Sequence, residues 1–594
     1  MWPFGRKSAS SPAPGPVIAD QLEARPASEP PVPGAATADN IHRIEGTLES
    51  VLRTDPMALQ DAIAEMSALS GRLEGMLVDF ELTGQLNRFS GSVAAAYARL
   101  NNTVGGSPDI ILRQMTIGQT LKWPALLAFA DGMVDNMVLD QDTLRMVELY
   151  DLHAGESSPE AIHRAVQYSM MTVGHVSTES DWSKLLDELT YGSALLFVEG
   201  APAVLVLDTV KFQARHIGRA QSEPSIKGPQ EAFNEILLTH MNQLRRRIRS
   251  SWLKFDSMTV GGYTKTSVLV AHIEGLTNPE LVSAIKRRVA QVKVDEVQEL
   301  HQIADRILER RSTLFPMTRT TERVDWVARD LLRGKVALIV DNDPFVAVYP
   351  NTLMDFYQTT QDYVFSTWDG TLVRLVRLLG IILAVYLMPL YIALTSVNPD
   401  LVPTKLILTV AGSRQGIPFS PVMEVIIMYI IIEVLREAAN RLPQQLATTL
   451  GTVGAVVVGT AIVKAGIVDD LMIVIATLSA LGLFTTPSYE MTAAWRWLFW
   501  IMVVGAYAFG IFGMILVTVG IFTYLCSLEN FGVPFFTPFG PTRIVDLADS
   551  WVRAPANWFV NRPTYTRPVD VSQARPTHVR GDMDLYQAQR DARQ

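Results

Sequence analysis

Residues 378–528 form a long stretch that is poor in charge. They contain 13 charged side chains in 151 positions, about 9%, whereas residues 1–377 contain 83, about 22%. Such a difference is typical of a soluble region joined to a membrane region, because an ionised side chain is unfavourable in hydrocarbon. We predict an all-α, multi-span membrane domain of about five helices at residues 373–528.

The regions outside this stretch differ in composition. Residues 1–40 are rich in Pro and Ala and lack the apolar core of a signal peptide, which predicts a disordered N-terminus on the cytoplasmic side. Residues 41–107 carry Leu and Ile at helical spacing, which predicts an amphipathic helical extension that serves in packing or oligomerisation. Residues 529–594 form a Pro-rich C-terminal tail, and the arginines near the last apolar run favour the cytoplasm for it too.

An internal repeat lies between these regions. The segment GSALLFVEGAPAVLV at residues 192–206 aligns without a gap with GKVALIVDNDPFVAV at residues 334–348, an offset of 142. Each segment reads as a β-hairpin, since an apolar run on either side flanks a turn rich in Gly, Pro, Asp or Asn. The spacing is too long for a solenoid and indicates a duplicated domain.

A second block repeats at nearly the same offset. Asp131 and Glu274, each followed by a glycine, close two similar apolar segments and are 143 residues apart. We therefore predict an α/β soluble N-terminal region of two related subdomains, followed by the membrane domain. The first subdomain is assigned to residues 108–215, and residues 216–372 are assigned to a helical connector and the second subdomain.

The connector contains Arg245, Arg246, Arg247, Arg249 and Lys254 on a predicted helix. Such a cluster attracts phosphate or acidic lipid, but a solvated face or salt bridges between the subdomains explain it equally well.

Apolar runs predict the membrane spans, namely Leu375–Val397, Pro421–Arg441, residues 446–468, Leu471–Thr486 and a final stretch. That final stretch, Trp497–Leu528, has no charge in 32 residues, or about 48 Å of helix against a hydrocarbon core of about 30 Å. It is consistent with one long broken helix or with a tight hairpin. A cytoplasmic tail requires an even number of crossings, so either this stretch is a hairpin or Pro421–Arg441 does not cross.

Charges inside Pro421–Arg441 are the candidate functional residues. The run contains Glu424, Glu433, Arg436 and Glu437. An acid at membrane depth is a candidate for an ion path or a coupling site, whereas an interfacial helix would only extend these charges to the headgroups. Both interpretations are open from the sequence.

The next apolar segment has two distinct faces. One is a stripe of small residues that allows close helix packing: Ala447, Gly451, Ala455 and Gly459. The opposite face could line a channel in a ring of identical subunits, and it carries Val453, Val457 and Lys464.

Several classes of function find no support. The net charge of −9 includes no strongly basic domain, so no nucleic-acid binding is predicted. The histidines show no metal-ligand spacing, and neither a phosphate-binding loop nor a nucleophile motif is present, so we expect no metal, no cofactor and no enzymatic activity.

Several ordered blocks resemble the A-subunit family of spore germinant receptors, the GerA family, which includes the SpoVAF-type proteins. They include IPFSPVMEVIIMYIIIEVLREA (417–438), REAANRLP (436–443) leading into GTVGAVVVGTAIVKAGIV (451–468), RHIGRAQSEPSIKGPQEAFNE (215–235) and FGVPFFTPFGP near the end. The resemblance covers residues 108–564. The chain departs from the family pattern at Arg219-Ala220 and at Val324, and its N-terminal extension is longer.

The resemblance implies a nutrient germinant receptor subunit in the inner membrane of spores, with a transporter-like B subunit and a lipoprotein C subunit as partners. It implies an oligomeric, germinant-gated pathway for monovalent cations, or a signalling role. The alternative is a membrane-anchored ligand-binding or scaffold subunit without ion conduction. A homo-oligomer in contact with membrane lipid is expected in either case.

Overall fold

The computed structural model describes residues 87–573 except for residues 120–121, 146, 148–157, 168–174, 212–219, 221–222, 224–226, 311, 442–463 and 556–557. The chain divides into two compact units, Met1–Thr83 and Gly84–Gln594, and the described residues belong to the second. The predicted disordered segment 1–40 and most of the predicted helical extension therefore lie outside them.

The first subdomain is a five-stranded antiparallel sheet with helices on its faces. In chain order it comprises α1 (Val93–Thr103), β1 (Ile110–Ile117), β2 (Trp123–Ala130), a π-helical segment (Val138–Leu144), α2 (Pro159–Ala165), β3 (Val176–Glu179), α3 (Trp182–Tyr191), β4 (Ala194–Val198) and β5 (Val204–Leu207). The strand order is β1-β2-β4-β5-β3. Helix α1 lies before the predicted boundary at residue 108, yet Val93, Ala96 and Leu100 pack into the same core as β2 and β4.

The second subdomain repeats this arrangement. Its elements are α4 (Leu237–Arg247), β6 (Leu253–Val260), β7 (Thr266–Ile273), α5 (Pro279–Ala290), α6 (Leu300–Ile307), β8 (Arg319–Thr321), α7 (Val324–Leu332), β9 (Val336–Val340) and β10 (Val346–Tyr349). The strand order is β6-β7-β9-β10-β8, which is the order of the first sheet. The duplication inferred from the sequence is thus present in the topology.

The central strands are almost continuously apolar because both faces of each sheet are covered. Along β2, Leu126 and Ala128 enter the core beneath α1 and α3, whereas Leu127 and Phe129 enter the core on the other face. Successive side chains of a strand point to opposite faces, so a strand covered on both sides needs apolar residues at every position.

Equivalent turns close the equivalent strands. Gly132 and Gly275, which follow β2 and β7, have φ angles of 73° and 74°. In the hairpin turns, Gly200 and Asn342 have φ angles of 77° and 68°. Glycine and asparagine tolerate this left-handed conformation better than other residues, which explains the acid–glycine and Asp-Asn signals in the sequence.

The basic connector joins the subdomains through one buried ion pair. The guanidinium of Arg245, on α4, is 1% exposed and donates two hydrogen bonds to Asp109 in the first subdomain, with 3.0 Å between Nη2 and Oδ1. Arg246 and Arg247 both pair with Glu231. This arrangement favours the structural interpretation of the basic cluster.

A helical bundle follows the second subdomain. Its helices are α8 (Thr360–Val364), α9 (Thr367–Ile392, continued by a π-helical turn to Val397), α10 (Thr404–Ser413), α11 (Pro421–Arg441), α12 (Asp470–Phe484) and α13 (Tyr489–Ser527). Among the described residues, two helices are long and apolar enough to cross a membrane, Thr367–Val397 and Tyr489–Ser527, and α12 is a shorter apolar helix.

The bundle has one end next to the second subdomain, the near end, and an opposite far end. At the near end, Thr320 of β8 donates to Glu490 at 2.7 Å. At the far end, the backbone N–H of Ile511 donates to Asn398 at 3.1 Å. Helix α12 runs antiparallel to α9, and they approach so closely that a Cβ at Gly380 would lie 2.8 Å from the carbonyl oxygen of Gly482.

Helix α13 is a tight hairpin. The backbone of Gly510 is not helical (φ 60°, ψ −138°), and the chain reverses there. Trp495 and Tyr524, one on each arm, both contact the ring of Phe315, with centroid distances of 5.6 and 6.2 Å. In a continuous helix these two residues would be about 44 Å apart, so the hairpin replaces the long broken helix as an interpretation.

The tail returns to the second subdomain. It contains the short strands β11 (Glu529–Asn530) and β12 (Val533–Pro534) and the helix α14 (Ile544–Leu547). The N–H of Leu353 donates to the carbonyl of Phe535 at 2.8 Å, and the N–H of Val569 donates to that of Leu276 at 2.9 Å. The described part of the tail therefore lies on the same side of the bundle as the α/β region.

Candidate functional site

The predicted acid Glu433 lies between two arginines inside the bundle. It accepts a hydrogen bond from Arg496, on the first arm of α13, and forms an ion pair with Arg436, one turn further along α11, with 2.9 Å between Nη1 and Oε2. The side chains of Arg436 and Arg496 are 11% and 27% exposed, and that of Glu433 is 37% exposed. The three residues form one charged cluster, which lies toward the near end of the bundle.

Aromatic packing holds α11 against α13 beside this cluster. Tyr429 stacks on Phe499 with a centroid distance of 4.3 Å and an interplanar angle of 9°, and it meets Trp500 edge to face at 4.9 Å. A cavity of about 20 Å³, which is large enough for a water molecule, is lined by Tyr429, Phe499 and both arginines. A water molecule can therefore bind beside the charged cluster.

The second predicted acid, Glu424, lies at the far end. Its carboxylate is fully buried, accepts a hydrogen bond from the backbone N–H of Asp469 at 3.2 Å and pairs with Arg414 at 3.0 Å. Because Glu424 lies near Asp469 and Arg436 lies near Phe484, α11 extends from the far end to the near end.

The remaining predicted residues are either exposed or outside the described residues. Glu437 and Lys464 are exposed. The other candidate residues lie in residues 442–463, outside the described residues: Ala447, Gly451, Val453, Ala455, Val457 and Gly459. Their roles as a packing stripe and a pore face remain predictions.

Three partners of the predicted acids are not recognised from the sequence pattern alone. They are Arg414 just after α10, Asp469 just before α12, and Arg496 on α13. All three are charged residues within the charge-poor stretch, so the rarity of charge there is the signal that could identify them.

A second charged cluster lies where the α/β region, the bundle and the tail meet. Asp549 of the tail accepts hydrogen bonds from Arg333 at the end of α7 (2.7 Å), from Arg374 of α9 (3.0 Å) and from the hydroxyl of Tyr363 (2.6 Å). Its side chain is 15% exposed, and that of Arg374 is 1% exposed. Asp549 thus connects the tail to both the α/β region and the bundle.

The pKa of Asp549 reflects these partners. Burial alone would raise the pKa of the carboxyl, but the charges of Arg333, Arg329 and Arg374 and the hydrogen bond from Tyr363 lower it to about 2. The neighbouring Asp362 is buried as well, and its pKa is lowered by the hydrogen bond and charge of Arg377. Both carboxylates are therefore ionised at neutral pH.

No group of three or more His, Cys, Asp and Glu side chains is placed to hold a metal ion within the residues that the structure describes.

Known proteins resemble this chain over most of its length. Residues 98–565 match the family described as Bacillus/Clostridium GerA spore germination protein. Spore germination protein KA of Bacillus subtilis is 32% identical over 487 residues, covering 82% of this chain and 87% of that protein. The uncharacterized membrane protein YfkQ of Bacillus subtilis is 34% identical over 463 residues, covering 78% and 89%.

The N-terminal domain of the A subunit of the Bacillus megaterium spore germinant receptor GerK3 has a crystal structure that covers 44% of this chain and 95% of that domain, with 28% identity and a TM-score of 0.33. The sequence matches extend through both subdomains, the bundle and most of the described tail. The chain belongs to the GerA family of spore germination proteins.

Proposed function

We propose that this protein is the A subunit of a nutrient germinant receptor and that it acts as an oligomeric, germinant-gated pathway for monovalent cations. Membership of the GerA family supports the role in germination. The observation that supports a role in permeation or its control is the position of Glu433 between Arg436 and Arg496 in an apolar bundle.

Ionised residues at this depth are unfavourable unless they face a partner or water. Glu433 has two partners, but its side chain is still 37% exposed in the single chain. A neighbouring subunit would cover such a surface in an oligomer. The hydrogen bond from Arg496 to Glu433 links α11 to the hairpin, so we propose that the cluster holds these two helices together.

The far end differs in charge. Glu424 and Asp469 are buried there, and Asp400 and Asp470 are exposed. The cations of the same segments are Arg414, which pairs with Glu424, and the exposed Lys405 and Lys464, so carboxylates outnumber cations by one. An excess of carboxylate at the mouth of a pathway raises the local concentration of cations. We therefore place the cation entrance at the far end, with the predicted pore face of Val453, Val457 and Lys464 behind it.

The proposed topology has six crossings: α9, α11, residues 446–468, α12 and the two arms of α13. The described residues on either side of residues 442–463 support the third crossing, because Arg436 lies toward the near end and Asp469 lies at the far end. An even number places the α/β region and the tail on one side, which we assign to the cytoplasm. The membrane is proposed to be the spore inner membrane.

The proposed partners follow from the family. We expect a transporter-like B subunit, a lipoprotein C subunit and further copies of this chain, in contact with membrane lipid. Co-purification of differently tagged copies tests the homo-oligomer, and a lone monomer in a mild detergent would contradict it.

Potassium flux in liposomes tests the permeation role. We expect Glu433→Gln and Val457→Ala to change the flux or its gating about 5- to 100-fold. This factor corresponds to the coupling free energies that are typical between two sites of one protein. The matched controls are Glu296→Gln, in an exposed loop, and Val474→Ala, on the exposed face of α12. Unchanged conductance and gating in both test variants would exclude the assigned pathway.

A groove supports the alternative function, a ligand-binding or scaffold subunit without conduction. Its volume is about 500 Å³, within the range of small-molecule sites, and it lies between α5 and the tail. Arg287, Arg288 and Arg567 line it together with Phe531 and Tyr565. Calorimetry on the full chain tests this function with amino acids, sugars and nucleosides. Saturable binding that is lost in Arg567→Gln, in a protein that shows no cation flux, would favour it.

A further inference from the structure

The contacts of Asp549 form a bridge between the α/β region and the first bundle helix. One side of its carboxylate faces Arg333, with 2.7 Å between Nη2 and Oδ2. The other oxygen faces Arg374, with 3.0 and 3.1 Å to the two terminal nitrogens. Because a guanidinium donates in a fixed plane, a two-nitrogen contact of this kind restricts orientation as well as distance.

A single aromatic ring lies at the centre of this bridge. The guanidinium of Arg329 lies 3.5 Å from the ring centroid of Tyr363, and those of Arg374, Arg553 and Arg333 lie at 5.3, 5.5 and 5.8 Å. The Tyr363 hydroxyl donates to Asp549 at 2.6 Å. The segment between the subdomain and α9 therefore passes through the same cluster.

The tail also holds that segment by its backbone. Arg553 donates to the carbonyl oxygens of Asp362, Tyr363 and Phe365 at 2.8, 3.2 and 2.5 Å. Its own N–H donates to Thr371, on α9, at 3.1 Å. A Cβ at Gly370 would lie 2.9 Å from the carbonyl of Asp362, so only a residue without a side chain allows this close approach.

The charges in the cluster are unequal. The cations are the arginines around Asp362 and Asp549, namely Arg329, Arg333, Arg374, Arg377 and Arg553. Asp549 is the carboxylate that Arg333 and Arg374 share, whereas Asp362 pairs with Arg374 and Arg377. Removing the charge of Asp549 would therefore leave Arg333 and Arg374 facing each other, with like charges that repel.

The duplicated subdomain provides an internal comparison. At the repeat offset of 142, the positions of Arg329 and Arg333 correspond to Asp187 and Tyr191 in the first subdomain. The basic pair is thus present in the copy on which the tail docks and absent from the other. The fold of the subdomain does not require these arginines, so their presence relates to the tail and α9.

We propose that Asp549 is a coupling residue: through it, the C-terminal tail fixes the first bundle helix to the second α/β subdomain, so that movement of the subdomain is transmitted to the bundle. This inference rests on the proposed function only for the consequence on cation release. The structural coupling itself can be measured without reference to permeation.

Distances between spin labels in the full-length protein test the coupling. We would replace the free cysteine, Cys526→Ala, and introduce Tyr263→Cys in the β6–β7 turn and Trp368→Cys in the first turn of α9, at side chains that are 86% and 85% exposed. The test variant is Asp549→Asn, which keeps the size of the side chain. The matched control is Asp570→Asn, which removes an exposed carboxylate of the same tail that pairs with Arg562.

In the parent we expect a narrow distribution of label distances. In Asp549→Asn the distribution should be at least about twofold broader, whereas Asp570→Asn should retain the parent's distribution. Tyr363→Phe, which removes one donor and keeps the ring, should broaden it less and serves if Asp549→Asn does not fold. Arg333→Gln combined with Asp549→Asn removes one of the facing cations and should narrow the distribution again. An unchanged distribution in Asp549→Asn and Tyr363→Phe, or equal broadening in Asp570→Asn, would overturn the proposal.

Cation release provides the second readout. In spores exposed to a mixture of amino acids, sugars and nucleosides, we expect Asp549→Asn to reduce potassium release about tenfold or more at equal protein level. If the distribution broadens but parent and variant show no potassium flux in liposomes, the coupling stands and the permeation function fails. Normal stimulated release in a variant with a broadened distribution would contradict transmission through Asp549.

Discussion

Gly505 and Gly513 face each other across the reversal at Gly510, so closely that a Cβ at Gly505 would lie 3.1 Å from the carbonyl oxygen of Gly513. The two arms of α13 are thereby in backbone contact, as in helix pairs that meet through small residues. The hairpin brings Ser527 back to the near end and directs the tail toward Asp549's partners.

The hairpin should be sensitive to added volume at Gly513. We expect Gly513→Ala to destabilise the detergent-solubilised protein by about 1–3 kcal/mol, because the new methyl group would collide with the Gly505 backbone. Gly520→Ala is the matched control, since nothing lies within 4 Å of its Cβ position, and it should be neutral or stabilising by up to about 1 kcal/mol. Thermal unfolding of both variants checks this, and equal midpoints would contradict the hairpin contact.

The ion pair between Glu433 and Arg496 should show energetic coupling. Glu433→Gln leaves Arg436 and Arg496 without their carboxylate, and Arg496→Gln leaves Glu433 with one partner. In a double-mutant cycle we expect an interaction free energy of about 0.5–3 kcal/mol. A double variant whose loss of stability equals the sum of the single losses would show that the two side chains do not interact.

His240 should make α4 sensitive to mild acid. Its ring is fully buried, and burial lowers its pKa from 6.5 to about 4. The unfolded chain binds the proton below pH 6.5 and the folded chain only below about 4, so stability decreases as the pH falls through this window. We expect a loss of about 2 kcal/mol between pH 7 and pH 4.5.

Hydrogen exchange of the α4 amides, corrected for the intrinsic rate, measures this local effect. His240→Gln should be less stable at pH 7 but should depend less on pH. The exposed His301→Gln should keep the parent's dependence. If the stability of α4 in His240→Gln falls as steeply between pH 7 and pH 4.5 as in the parent, a group other than His240 causes the pH dependence.

Asp549 should titrate in a lower window. Its pKa is lowered from 3.8 to about 2, so its contribution is present above about pH 4 and is lost as the pH falls toward 2. The groups that face it are Arg329 of α7, Arg333 just after α7, Tyr363 and Arg374 of α9. The parent's label distribution should broaden between pH 4 and pH 2, with a loss on the order of 2 kcal/mol.

Asp549→Asn has no carboxyl to protonate, so its distribution should already be broad at pH 6 and should change little in that window. Equal pH responses of parent and variant would assign the acid effect to other carboxylates, such as Asp362.

Local patterns predicted much of the fold. Helix α11 has the bounds Pro421–Arg441 that the apolar run indicates, and the acid–glycine and Asp-Asn turns close the strands as expected. The charges Glu424 and Glu433 were recognisable because a carboxylate is rare in apolar sequence. Arg496 and Asp469 were equally rare, but their relation to these acids depends on which helices become neighbours.

The cluster around Asp549 could not be predicted in the same way. In the sequence it is an ordinary acid in a tail with both signs of charge, and Arg333 is 216 residues away from it. Nothing in the spacing indicates that the tail returns to α7 and α9.

The sequence by itself determined the duplication and the division into an α/β region and an apolar helical region, because periodicity, turn chemistry and apolar length are local properties of the chain. Its motifs also carried the resemblance to the GerA family. The tertiary structure decided the reversal at Gly510, the partners of Glu433 and the bridge from Arg333 through Asp549 to Arg374. These depend on contacts between distant segments, where any of many similar arginines could pair with a given carboxylate until the packing of the helices selects one.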